Sequence, residues 1–214
     1  MKRTKQKATA DSATKSGSGI GVIVEDETDF DALKVLVRRI VEAAGPGPQP
    51  KVRKRGQRGC GPISQKIKAW MADLVLQGCT KLIVVRDRDA RTEASIRQEL
   101  QKHPPPAAAT VCIPVEELEA WFWSDLHVLR LVAPDARNLK APANPHLVKS
   151  PKEKLEALSV DARRRPRYSN SDNARLAETL GLDVCAAKCP SFRHFRDFVL
   201  APFPLQARWH PPPT

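Results

Sequence analysis

Three short apolar runs in this chain end abruptly in carboxylates, and no other feature constrains the fold as much. Ile20-Gly21-Val22-Ile23-Val24 stops at Glu25-Asp26-Glu27. Leu82-Ile83-Val84-Val85 passes Arg86 and stops at Asp87-Arg88-Asp89. Thr110 to Val115 runs into Glu116-Glu117-Leu118-Glu119. Apolar runs this short, with no polar alternation, read as strands buried on both faces of a parallel sheet. Helical spacing separates them. Phe30, Leu33, Val37, Ile40 and Val41 form one stripe behind Thr28, which reads as an N-cap with Asp29 and Asp31 in the first turn. Ile67, Trp70, Met71, Leu74 and Val75 form a second stripe over Ile63 to Gln77. Helices are also expected from Thr92 to Lys102 and from Glu116 to about Leu131, and a short strand around Lys51 to Arg53. Strands alternating with helices imply an α/β fold with a parallel sheet flanked by helices. Each acidic cluster then falls at the C-terminal end of a strand, the edge where open α/β sheets bind ligands.

Residues 1–18 read as a disordered basic tail, 19–133 as the α/β domain, 134–202 as a helical extension and 203–214 as a Pro-rich, irregular tail. The extension has helical pieces at Pro151 to Leu158, Asp172 to Leu180 and Ser191 to Leu200, and no strand. Ser191 reads equally as an N-cap or as a functional hydroxyl.

The formal net charge is +12, which favours a polyanionic partner, nucleic acid before a membrane face. No run approaches the ~20 apolar residues that span a bilayer, and the start lacks the apolar core of a signal peptide, so a cytoplasmic setting is expected. The five cysteines form no C-x-x-C pair, so zinc is not expected and reduced thiols are. Lys51, Arg53, Lys54, Arg55 and Arg58 lie beside Gly56, Gly59 and Gly61 with no acid among them. This charge points to phosphate contact, with a solvated loop as the plain alternative. Trp121 shares its neighbourhood with Leu118, Phe122 and Leu126 and reads as core.

Asp87 and Asp89 share a face if their strand continues through them. With Glu25 from a second strand end and Glu119 from a third, Glu116 or Glu117 being the alternatives there, they describe a site for Mg2+ or Mn2+, hard cations that prefer oxygen ligands.

In order along the chain, Glu25 to Asp29, Gly56 to Gly61, Asp87 to Asp89, Glu117 to Trp121 and Pro190-Ser191-Phe192 resemble the pattern of domain-of-unknown-function family 4276, a Toprim-like bacterial family. The first and third segments also resemble the Toprim domains of overcoming-lysogenization-defect nucleases. The resemblance implies a Toprim-like sheet. It implies Glu25 as a metal ligand or general acid/base, Asp87 and Asp89 as metal ligands, and Glu119 as a further ligand. It adds Lys152 and Lys188 as phosphate contacts. It also implies nuclease chemistry on DNA or RNA and an ATPase partner in anti-phage defence; self-association is left open. Asp26 stands where the family pattern has glycine, and Asp29 where it has glutamate. A catalytically inactive binding or regulatory subunit is therefore the alternative. A response-regulator receiver domain is a third reading; the long basic insertion before Asp87 and the Pro-Val-Glu-Glu end of the third strand oppose it.

Overall fold

The structure, a computed structural model, describes residues 19–56, 60–88, 91–114, 117–202 and 204–212, without the side chains of 60–62. Asp89, Arg58, Val115, Glu116 and the basic tail lie outside the described residues.

Four parallel strands form one sheet: β1 (Gly19–Ile23), β2 (Val52–Arg55), β3 (Cys79–Val85) and β4 (Ala108–Cys112), in the order β2-β1-β3-β4. Ile23 stands opposite Val84 on β3 and Arg55 on β2, so the acidic ends of β1 and β3 finish level. The parallel α/β sheet expected from the apolar runs is what forms. The middle of each run is fully buried.

Helices cover both faces. One face carries α2 (Cys60–Leu76) and α3 (Glu93–Leu100), packed through Ile63, Ile67, Met71, Leu74, Ile96 and Leu100 onto Ile23, Leu82, Val84 and Val111. The other carries α1 (Glu27–Ala44), α4 (Leu126–Val132), α5 (Pro151–Leu158), α6 (Asn173–Thr179), α7 (Leu182–Lys188) and α8 (Pro190–Leu200). Leu33, Leu36, Val37 and Ile40 of α1 join Leu176, Phe192, Phe195 and Phe198 in one continuous core with Val22, Ile83 and Val85. The C-terminal helices thus share the core of the sheet. The stretch Leu182–Lys188, in which no helix was expected, is α7.

Three expectations need correction. Asp26, not Thr28, caps α1: its Oδ1 accepts from the Thr28 backbone N–H at 2.9 Å. The expected helix from Glu116 to Leu131 is two pieces, a 3-10 helix at Leu118–Ser124 and then α4. Asp125 breaks it, because its carboxylate accepts from the His127 N–H and starts a new helix there. The Pro-rich end is not wholly irregular. The Ala109 N–H donates to the Arg208 carbonyl and the His210 N–H to the Ala109 carbonyl, so the segment covers the outer edge of β4.

Lys81 ties α8 to the sheet. Its side chain is fully buried on β3. Its Nζ donates to the carbonyls of Phe198, Val199 and Ala201 at 3.0, 2.8 and 2.5 Å. These are end-of-helix acceptors without helical partners, and a cation suits the negative end of a helix dipole. Burial alone pulls the Lys81 pKa down to about 8. Lys81→Met leaves three buried acceptors unserved and should cost on the order of 3 kcal/mol, read as a lowered thermal midpoint. An unchanged midpoint would show that the carbonyls find other donors.

Among the described residues no helix is long and apolar enough to cross a membrane.

Candidate functional site

The C-terminal edge of the sheet opens into a cavity of about 380 Å3 lined by Glu25, Asp26, Asp29, Asp87, Glu117, Glu119, Lys152 and Asn170. Strand ends and helix starts deliver these groups together. Glu25 follows β1. Asp26 caps α1, Asp29 lies in its first turn, and both line the cavity. Carboxylates are favoured there by the helix dipole. Asp87 follows β3, two residues after buried Val85 and therefore on the same face of the sheet.

Glu117 and Glu119 arrive after β4, at the start of the 3-10 helix. Aromatic anchors fix that helix. Trp121 is buried, its ring centroid 5.1 Å from that of Phe192 in an edge-on contact, and its Nε1–H donates to Ser191 Oγ at 2.9 Å. Trp123 Nε1–H donates to the Pro151 carbonyl at 3.0 Å. The Trp121 and Pro190-Ser191-Phe192 segments, far apart in sequence, are thus one packing unit that aims the acids. Ser191 is neither an N-cap nor a cavity hydroxyl: Cys189 occupies the cap position of α8.

Of the sequence-predicted site residues, Glu25, Asp87, Glu119 and Lys152 share the cavity. The Lys152 backbone N–H donates to Glu117 Oε2 at 3.1 Å. Lys188 is elsewhere: its Nζ holds the Ser124 carbonyl at 2.8 Å and closes the end of the 3-10 helix. The short strand expected around Lys51 to Arg53 is the edge strand β2, Val52–Arg55. Lys54 pairs with Glu27 and Arg55 with Asp73. Lys51 is exposed and Arg53 half-buried.

Sequence reasoning did not place Asp29 or Asn170 in the site, and gave Glu117 only as an alternative to Glu119. Asp29 carried a signal, its three-residue spacing from Asp26. Asn170 carried none. Two further residues stand behind the carboxylates. Glu119 is 3% exposed; its Oε1 accepts from Asn173 Nδ2 at 2.9 Å and lies 3.3 Å from Tyr168 Oη, whose one proton goes to Asn173 Oδ1 at 2.7 Å.

The electrostatics are those of crowded acids. Burial pushes the Asp29 carboxyl up to about 7; the charges of Glu119, Asp26 and Glu25 add to this, and a hydrogen bond from Asn173 opposes it. Burial likewise holds Asp87 well above the usual carboxylate range, helped by Asp29, Glu119, Glu25 and Glu117. Glu117 is raised by burial and lowered by the Lys152 backbone N–H. Such groups stay protonated or gather a cation. Oxygen donors in this number suit Mg2+ or Mn2+ in chemistry. Among the described residues, however, no group of three His, Cys, Asp or Glu side chains is arranged to hold a metal ion. The donor chemistry fits; a closed ligand set is not formed by the described residues alone.

Fold and site together define a parallel α/β protein with a carboxylate-lined cavity at the strand C-termini. The family model described as a domain of unknown function (DUF4276) matches residues 24–200, every residue of the cavity included, and the chain belongs to that family. No curated protein and no solved structure matches the chain.

Proposed function

We propose that the chain is a divalent-metal-dependent phosphodiester hydrolase of Toprim-like type that acts on nucleic acid. The observation that carries this reading is the convergence of carboxylates from β1, β3 and the segment after β4 on one cavity. Mg2+ or Mn2+, when bound there, supplies a Lewis acid for the phosphoryl oxygens and lowers the pKa of water. Glu25, Asp87 and Glu119 would hold it, with Asp89, two residues after Asp87 in the sequence, as a further candidate. Asp29 and Glu117, with their raised pKa values, hold or accept protons at the cavity wall. Lys152, on the rim, meets a substrate phosphate. The +12 net charge supports a polyanionic substrate, with Lys51 and Arg53 of the edge strand, and Arg58 beyond it, as backbone contacts. The resemblance adds an ATPase partner and an anti-phage setting to the proposal.

A second reading is a binding or regulatory subunit without catalysis. Two observations favour it: the described carboxylates do not form a ready metal group, and the Asp26 carboxylate at the glycine position accepts from Thr28 N–H and Oγ1–H. Incubation of plasmid, single-stranded DNA and RNA with Mg2+ or Mn2+ separates the two. The hydrolase reading expects metal-dependent cleavage that falls to background in Asp87→Ala. No cleavage with any substrate or metal, alone or with an ATPase partner, favours the binding subunit.

A further inference from the structure

Asn173 is fully buried behind Glu119. Its Nδ2 donates to Glu119 Oε1 at 2.9 Å. A primary amide carries a donor end and an acceptor end, so it serves a carboxylate only if it faces it with nitrogen rather than oxygen. Tyr168 settles which: its Oη–H donates to Asn173 Oδ1 at 2.7 Å and so fixes the oxygen on the far side. Tyr168 is itself held. Its backbone N–H donates to Ser159 Oγ at 3.0 Å, and the next residues close a capping box between Ser169 and Asp172. Its hydroxyl is buried, and desolvation keeps the phenol protonated and a donor.

A lysine or arginine in place of Asn173 would neutralise Glu119. An amide orients it and leaves its charge for another cation. We infer that Tyr168 and Asn173 are positioning residues that orient Glu119 toward a divalent cation in the cavity, so the site is completed by the C-terminal half of the chain. The inference rests on the metal-site reading proposed above. Outer partners that orient ligands typically contribute 10- to 100-fold in metal affinity.

The test is Mn2+ titration of the full chain, followed by calorimetry and by the electron paramagnetic resonance of the free ion, with thermal midpoints measured alongside. Tyr168→Phe keeps the ring and removes the donor; it should weaken Mn2+ binding about tenfold with a smaller fall in midpoint than Lys81→Met, since one buried acceptor rather than three is left unserved. Asn173→Ala should weaken it further. Lys81→Met, remote from the cavity lining, serves as the control: it should lower the midpoint and leave Mn2+ affinity unchanged. Wild-type affinity in Tyr168→Phe and Asn173→Ala would overturn the positioning role while leaving the metal site standing. So would an equal loss of affinity in Lys81→Met, which would make the effect one of stability. No Mn2+ binding by the folded wild type would overturn the metal reading and this inference together.

Discussion

In the absence of divalent cations, the thermal midpoint should fall by roughly 5–10 °C between pH 6.5 and pH 8. Asp29 titrates at about 7 in the folded chain against an ordinary 3.8, and Asp87 lies well above its ordinary value. The folded state therefore binds these protons more tightly than the unfolded state. Stability from such groups is present at low pH and lost as pH rises through the folded values. The window is set by other groups. His194, pulled down to about 4 chiefly by burial, acts with the opposite sign between about 4 and its ordinary 6.5. Lys81, at about 8, begins to act only at the upper limit. Between these limits the cavity acids dominate.

A millimolar divalent cation should restore most of the loss at pH 8 and little at pH 6.5, where protons compete for the same oxygens. A ligand at about 100 times its Kd adds roughly 2.7 kcal/mol, comparable to the penalty it relieves. Asp87→Asn should then raise the midpoint at pH 8 above wild type, flatten the pH slope and remove the metal response. Sites that crowd charge for function commonly give up stability in this way. A flat midpoint over this window, or an unchanged metal response in Asp87→Asn, would show that the acids are not an unneutralised cluster.

The fold was legible because its signals were local. Runs such as Leu82 to Val85 announce buried strands by composition alone, and Pro151 to Leu158 is bounded by its own start and stop residues. Glu25, Asp87 and Glu119 were legible in the site because each ends or follows a strand. Asn173 and Tyr168 were not. Each reaches Glu119 across about 50 residues of chain, and such long-range pairing leaves no periodic trace. The break at Asp125 was missed because an Asx turn competes with a helix on nearly equal terms. The short strand expected around Lys51 to Arg53 forms as Val52–Arg55, but its pairing with β1 and the loss of two of its charges to Glu27 and Asp73 left no sequence trace.

Gly56 connects that edge strand to the site, and Gly56→Ala should cost about 3 kcal/mol or more, roughly 10 °C in thermal midpoint. Its φ is +154°, and a Cβ there would lie 1.7 Å from the Val24 carbonyl oxygen. That oxygen belongs to the backbone and cannot turn aside as a flexible side chain would. The two strands are registered there: the Val24 N–H donates to the Arg55 carbonyl at 3.1 Å. Relief of the clash must therefore push β2 away from β1 or displace Val24, and Glu25 is the next residue. The substitution should lower Mn2+ affinity as well as stability. Gly45 isolates the cause. It too has a positive φ, +130°, but nothing lies within 4 Å of its missing Cβ, so Gly45→Ala meets backbone strain alone, of order 1–3 kcal/mol, and should leave Mn2+ binding intact. If the two alanine variants melt alike and bind metal alike, the approach of Gly56 to Val24 does not set the position of Glu25.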